Sequence, residues 1–199
     1  DSVASRGLGD VYKRQVLLDR DVVSNQDPGP ILTPEQFMMI PKSASAVARI
    51  NTQGWLCFVI TNQAAFARGD LSESVFQTIT NKMYLELEKS GAHIDGQYIC
   101  PHHPDWENGK RSTEPKHCAC RKPGTLLLEQ VSVEYGFSPE EAVLIGDKTS
   151  DFAAAANWGT CSIGVRTGHA GQDGKANAEP DYWEDDLWSA VEFLLVNSN

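Results

Sequence analysis

Val16-Leu17-Leu18-Asp19-Arg20-Asp21 is the stretch on which the fold turns. A short apolar run that ends abruptly in acids is read as a strand stopping at a polar edge. In an extended segment residues two apart point the same way, so Asp19 and Asp21 share one side of the strand end. Carboxylates held that close repel each other, and either a divalent cation or a proton relieves the repulsion and makes the pair useful.

Strand-like and helix-like segments alternate from there on. Ser43 to Gln53 reads as a small-residue helix closed by Gly54, and Trp55 to Ile60 as a fully apolar strand. Ser72 to Ser90 reads as a helix ended by Gly91, Gln97 to Cys100 as a strand, and Gly124 to Tyr135 as a helix. Ser138-Pro139-Glu140-Glu141 has the form of a capping box with proline at the first helical position. Ala142 to Gly146 is the next strand, Thr149 is expected to cap a helix reaching Asn157, and Cys161 to Val165 is another strand. A last helix is expected over about Glu184 to Val196. This alternation predicts an α/β fold, a Rossmann-like parallel sheet with helices on both faces. Ligands of such sheets sit beyond the carboxyl ends of the strands, which is where Asp19 and Asp21, Thr61 and Asn62, and Asp147 fall. Thr61 to Cys100 holds little more than one long helix and a strand, so no large cap is expected.

A chain of 199 residues suits one domain, and 41% hydrophobic with 22% charged residues is ordinary for a globular protein. A net charge of −10 argues against a nucleic-acid surface, and no apolar run approaches a membrane span. A small anionic partner in a locally basic pocket remains allowed, and the chain is expected to be a monomer. Residues 1–15 contain Asp10-Val11-Tyr12-Lys13-Arg14-Gln15, which is what the end of a widely used sequencing adapter encodes. They are expected to be an artefactual or disordered leader, the alternative being a natural flexible tail, with a single domain over 16–199.

Cys100, His102, Cys118 and Cys120 form a Cys-x-His and Cys-x-Cys set, able to close a tetrahedral structural zinc site across a loop spanning 100–120. His103 and His117 lie beside it and are expected to face solvent, though either is able to replace His102; His93 and His169 read as surface residues. The other cysteines, Cys57 and Cys161, read as buried strand thiols, consistent with a reducing, cytoplasmic compartment. The last metal ligand runs directly into Arg121-Lys122-Pro123, so a metal here would also fix where two cations point.

Asp19-x-Asp21, Ile60-Thr61-Asn62-Gln63, Arg121-Lys122-Pro123 and Gly146-Asp147-Lys148-x-x-Asp151, in that order, resemble the four motifs of the haloacid dehalogenase superfamily of phosphotransferases. Leu18-Asp19-Arg20-Asp21, Thr61-Asn62-Gln63 with Ala67-Arg68-Gly69, Cys100-Pro101-His102-His103-Pro104-Asp105 and Cys118-x-Cys120-Arg121-Lys122-Pro123 narrow the resemblance. They are similar to the D-glycero-D-manno-heptose 1,7-bisphosphate phosphatase branch, which shares its zinc loop with histidinol-phosphate phosphatases.

The resemblance implies a Mg²⁺-dependent phosphatase working through an aspartyl-phosphate, on the heptose bisphosphate or alternatively on histidinol phosphate. Asp19 is then the nucleophile and Asp21 the acid and base, with Thr61 and Lys122 on the phosphoryl group. Mg²⁺ would be held by Asp19, Asp147 and the Asp21 carbonyl, and Zn²⁺ by the Cys/His set. Asp27, Asn62, Gln63, Arg68, Arg121 and Lys148 are the expected substrate contacts, and Asp151 is expected to orient Lys148 or the metal's water shell. Lys110-Arg111 is read as a solvated pair, or else as a grip on a second phosphate. Two departures stand out: Val22 where the branch usually has glycine, expected to strain the loop or crowd the substrate, and Ala64-Ala65 where it usually has Ser-Gly. They support the competing reading, a catalytically silent zinc-stabilised binding module.

Overall fold

The computed structural model describes residues 15–23, 29–112 and 118–197. Their elements are β1 (Gln15–Leu18), α1 (Ser43–Thr52), β2 (Leu56–Asn62), α2 (Ala65–Arg68), α3 (Glu73–Glu88), β3 (Gly96–Cys100), β4 (Trp106–Glu107) and β5 (Lys110–Arg111). After these come α4 (Leu126–Tyr135), β6 (Ala142–Gly146), α5 (Thr149–Trp158), β7 (Cys161–Val165), β8 (Tyr182–Glu184) and α6 (Leu187–Asn197). The expected leader lies outside the described residues except for Gln15, which opens β1 and pairs with Leu56 and Ala142.

Six strands form one sheet in the order β3-β2-β1-β6-β7-β8, with every neighbouring pair parallel. The pleat of β1 divides the core. Val16 and Leu18 face one layer, joined by Val47 and Ile50 of α1, Ile79 and Met83 of α3 and Val191 and Leu194 of α6. Leu17 faces the other, with Leu128 and Val131 of α4 and Ala154 and Ala155 of α5. Burying both faces is what makes the inner strands continuously apolar, and each buried Leu, Ile or Val contributes about 1.5–3 kcal/mol. The sheet therefore presents only its strand ends to a ligand.

Chain order reverses at β1: successive strands run outward to β3 on one side, then restart at β6 on the other. A crevice opens at the carboxyl ends where that reversal occurs. Between β2 and β3 lie only α2, α3 and their connections, so among the described residues no separate cap covers the crevice.

Two expectations about elements are corrected, and two further elements appear. The last helix begins at Leu187 rather than near Glu184, because the Asp186 carboxylate accepts the Ser189 N–H at 2.8 Å and so caps the turn. Tyr182 to Glu184, good strand formers, instead pair with β7 as an edge strand. Thr149 is the first residue of α5 and not its cap: the Lys148 N–H is taken by the Asp151 carboxylate at 3.1 Å. The segment after Cys100 also carries the two-stranded hairpin of β4 and β5, turned through Asn108 and Gly109, both at positive φ.

Candidate active site

Asp19 follows β1 without a break, and its N–H donates to the Ile145 carbonyl at 3.0 Å, so strand pairing holds the residue itself. A single 3-10 turn, Arg20–Val22, then bends the chain back over the strand end. Each Asp19 oxygen meets one ammonium: Oδ1 accepts from Lys122 Nζ at 2.8 Å and Oδ2 from Lys148 Nζ at 2.9 Å. Burial alone would raise this carboxyl, but Lys122 and Lys148 pull it far below the usual aspartate range. Asp19 is a fixed anion at any ordinary pH.

Lys122 is buried and fully engaged, reaching Asp19, the Ile60 carbonyl at 2.7 Å and Asp151 Oδ1 at 2.7 Å. Burial disfavours its charge, yet Asp151 and Asp19 hold its pKa above the ordinary lysine value. Asp151 thus orients Lys122 with its side chain, where Lys148 or a water shell was expected; toward Lys148 it accepts only the main-chain N–H. Its close approach depends on Gly146, where a Cβ would lie 2.4 Å from Asp151 Oδ2.

Lys148, expected among substrate contacts, binds carboxylates: Asp19, Asp21 Oδ2 at 2.7 Å and Asp147 Oδ1 at 3.4 Å. Asp21, more exposed than Asp19, is bound by Lys148 on one oxygen and by Arg20 on the other. Burial would raise its carboxyl, but Lys148 and then Arg20 hold it below the ordinary value.

Asp147 completes the group. Its Oδ2 accepts the His169 N–H at 2.8 Å and its main-chain oxygen the Gly171 N–H at 2.8 Å. Gly168 makes that contact possible, having φ +72° and room for no side chain, since a Cβ would stand 2.3 Å from Asp147 Oδ2. The other oxygen, Oδ1, is buried and makes no hydrogen bond, meeting the Lys148 ammonium as an ion pair at 3.4 Å. Burial, with Asp19 and Asp151 adding to it against Lys148, pushes this carboxyl up to about 7. Carboxylate oxygens of Asp19, Asp147 and Asp151 lie within 4.8 Å of one another, a hard-oxygen set that fits a divalent cation such as Mg²⁺.

Strand β2 extends two residues further than expected, through Thr61 and Asn62. Thr61 is buried and its hydroxyl accepts from Gln63 Nε2 at 2.8 Å. Both ends of the Asn62 amide are committed to the Lys122 main chain, at 3.1 Å each, so Asn62 locates the lysine loop. Arg68 pairs with Asp70 at 2.7 Å and Arg121 donates to the His102 carbonyl at 3.0 Å; both border the crevice. Asp27 and His117 lie outside the described residues. Lys110 and Arg111 are exposed on the hairpin.

The crevice is a cleft of about 610 Å³ bordered by Asp19, Asp21, Gln63, Arg68, Arg121 and Lys148 among others, a size that suits a small metabolite. His169, expected on the surface, borders it too, as do His103 and Lys175. His103 is half-buried and accepts the Asp105 N–H at 3.0 Å, which removes it as a substitute metal ligand through Nδ1. Burial and then Arg121 pull its imidazole below the ordinary value, with Arg68 and Lys175 adding to this against Asp105, so the rim of the cleft is cationic.

Val22 is corrected. Its side chain is buried in the core layer with Val16, away from the cleft, and its φ is not positive. Ala64 caps α2 with ordinary helical φ and ψ of −59° and −18°, so neither departure disturbs the backbone.

The Cys/His set converges. His102 Nδ1 lies 3.1 Å from Cys118 Sγ and 3.4 Å from Cys120 Sγ, and Cys100 Sγ lies 3.8 Å from Cys118 Sγ. A tetrahedron with Zn–S bonds of ~2.3 Å has edges of roughly 3.7 Å, so the four donors fit zinc, and all three thiols are free.

The family model described as HAD-hydrolase-like matches residues 119–190. The D-glycero-beta-D-manno-heptose-1,7-bisphosphate 7-phosphatase of Haemophilus ducreyi is 35% identical over 160 residues, 79% of this chain and 86% of that one. The D-glycero-D-manno-heptose-1,7-bisphosphate 7-phosphatase of Thermosynechococcus vestitus is 34% identical over 187 residues, 92% and 95% of the two chains. The solved structure of D,D-heptose 1,7-bisphosphate phosphatase from B. bronchiseptica, complexed with magnesium and phosphate, superposes with a TM-score of 0.79 at 30% identity, covering 92% of this chain and 98% of that one. With an acid-and-lysine cluster at the switch point of a parallel sheet, and relatives of this similarity over most of their length, the chain belongs to the heptose-bisphosphate phosphatase family of haloacid dehalogenase-like hydrolases, phosphoric monoester hydrolases.

Proposed function

We propose that the chain removes the 7-phosphate of D-glycero-D-manno-heptose 1,7-bisphosphate through an aspartyl-phosphate on Asp19. The observation that carries this reading is the pair of ammonium groups on the two oxygens of Asp19, at 2.8 and 2.9 Å. A phosphate monoester resists attack because its oxygens are anionic, so catalysis is largely charge neutralisation and positioning. Lys122 and Lys148 hold the nucleophile and are placed to share their charge with an entering phosphoryl group.

Asp19 attacks phosphorus as the ester P–O bond breaks, and the bond's electron pair stays on the sugar oxygen, which takes a proton from Asp21. Water then attacks phosphorus and gives a proton to Asp21, the P–O bond to Asp19 breaks, and its electron pair returns to the carboxylate. Lys148 ties Asp21 to its ionised form in the resting site. An entering phosphoryl group competes for that ammonium and so frees Asp21 to be protonated. Asp19, Asp147 and the Asp21 carbonyl would hold Mg²⁺, which supplies further positive charge beside the phosphoryl oxygens. Zn²⁺ on Cys100, His102, Cys118 and Cys120 would fix the loop that aims Arg121 and Lys122. Arg68, Arg121 and Gln63 at the cleft are the substrate contacts.

The test is phosphate release with Mg²⁺ from the heptose bisphosphate, a heptose 1-phosphate and histidinol phosphate. The bisphosphate is expected to lose one phosphate, from C7, at the highest kcat/KM. Asp19→Asn should abolish turnover, a loss of at least about 10³-fold, in a protein that still folds but melts lower, because two buried ammonium groups lose their counter-charge. Preference for histidinol phosphate would overturn the substrate, and turnover by Asp19→Asn within tenfold of the parent would overturn the nucleophile.

A further inference from the structure

We infer that Arg20, between the two aspartates, is a positioning residue that decides which oxygen of Asp21 exchanges a proton with the leaving group. The inference rests on the phosphatase reading above. The Arg20 side chain is only 5% exposed, and its Nε and Nη2 both donate to Asp21 Oδ1, at 3.3 and 3.1 Å. The guanidinium stays charged at every relevant pH and offers only donors. A proton on Oδ1 would face two N–H groups, so once an entering phosphoryl group draws Lys148 off Oδ2, the proton that Asp21 exchanges is carried on Oδ2.

That oxygen is the useful one. Lys148 Nζ joins Asp21 Oδ2 at 2.7 Å to Asp19 Oδ2 at 2.9 Å, so Oδ2 shares a cation with the nucleophile, whereas Oδ1 is held by Arg20. Arg20 thereby keeps one oxygen facing the reacting centre while Lys148 turns to the phosphoryl group. In the first half-reaction that oxygen gives its proton to the departing sugar alkoxide, and in the second it takes one from the attacking water. Without the guanidinium, the Asp21 carboxyl could rotate about its bond to Cβ, and a protonated Oδ1 would be as available as Oδ2.

Leaving groups separate this role from a structural one. A sugar alkoxide needs a proton as it leaves, whereas p-nitrophenolate departs without one. The ratio of kcat/KM is the proper readout, because kcat/KM covers the steps only up to departure of the leaving group and excludes the water step. Arg20→Met should lower kcat/KM about 100-fold for the heptose bisphosphate and less than about 5-fold for p-nitrophenyl phosphate, since general acid catalysis supplies about 10²–10⁴. Arg20→Lys, which keeps the charge but not two donors on one oxygen, should move the same ratio in the same direction by a smaller factor, and it carries the test should the methionine variant fail to fold. Equal losses on both esters in either variant would show that Arg20 merely holds the loop, and unchanged kinetics on both would show that it does not act on Asp21. A parent protein that hydrolyses neither ester would instead overturn the phosphatase reading itself.

Discussion

At the scale of single residues, the site works by pairing each acid with a particular cation. Asp19 has two lysines, Asp21 has Arg20 and Lys148, and Asp151 has Lys122. Such buried pairs add little net stability, yet removing one partner strands a charge at a cost of about 3–5 kcal/mol; they serve orientation. Val22 is of another kind. Being 1% exposed in the core, it is a packing residue at a position where glycine would leave a cavity. Val22→Gly should therefore destabilise the protein by about 2–4 kcal/mol, from lost burial and added unfolded-state entropy. It should leave kcat/KM unimproved. Chemical denaturation and steady-state kinetics on the same preparation check both halves, and a more active, equally stable variant would place the valine at the substrate after all.

Elements were legible in proportion to how local their causes are. The sequences of β6 and β7 predicted their bounds to the residue, because a run buried on both faces advertises itself in its own composition. Strand β8 was not legible, since its pairing partner β7 lies across a loop and a three-residue edge strand is too short to show a pattern of its own. The acids of the site were visible as types at strand ends. Which lysine each would meet was not, because Lys122 and Asp19 are 103 residues apart in sequence and joined only by the sheet. Arg20 escaped notice because its partner is its own neighbour, which gives no spacing signal. Gly168 escaped because its contribution is the absence of a side chain. The convergence of Cys100, His102, Cys118 and Cys120 was the most legible feature of all, since two short spacings bring the four side chains together. It also predicts its own test. Cys118→Ser together with Cys120→Ser should abolish zinc retention after desalting and lower activity by at least about tenfold, because Arg121 and Lys122 directly follow the ligands. Elemental analysis measures the first and kinetics the second; full zinc retention by the double variant would dissolve the ligand set.

On the scale of the whole molecule, the reversal of chain order at β1 brings four acids and two lysines together beyond the strand ends, and pH reads how their charges balance. Asp147 is pushed up to about 7 by burial and by Asp19 and Asp151. In the unfolded chain an aspartate titrates near ~3.9. Between about pH 4 and 7 the folded, metal-free protein thus holds a proton that the unfolded chain has released, so its stability declines as pH rises through that window and levels off above it. Asp151 is raised as well and adds to the same slope. Asp19 and Asp21 are shifted the other way, so their contribution is lost only as pH falls below about 4 and leaves the window untouched. With Asp147 among the ligands as proposed, Mg²⁺ needs that carboxylate ionised and competes with its proton, so Mg²⁺ affinity should rise about tenfold per pH unit up to about 7. Thermal melts at about pH 5.5, 6.5 and 7.5, each with and without Mg²⁺, check this: the metal-free melting temperature should fall along the series while the increment from Mg²⁺ grows. An increment that stays constant would remove Asp147 from the metal's ligands and leave the cluster to the two lysines alone.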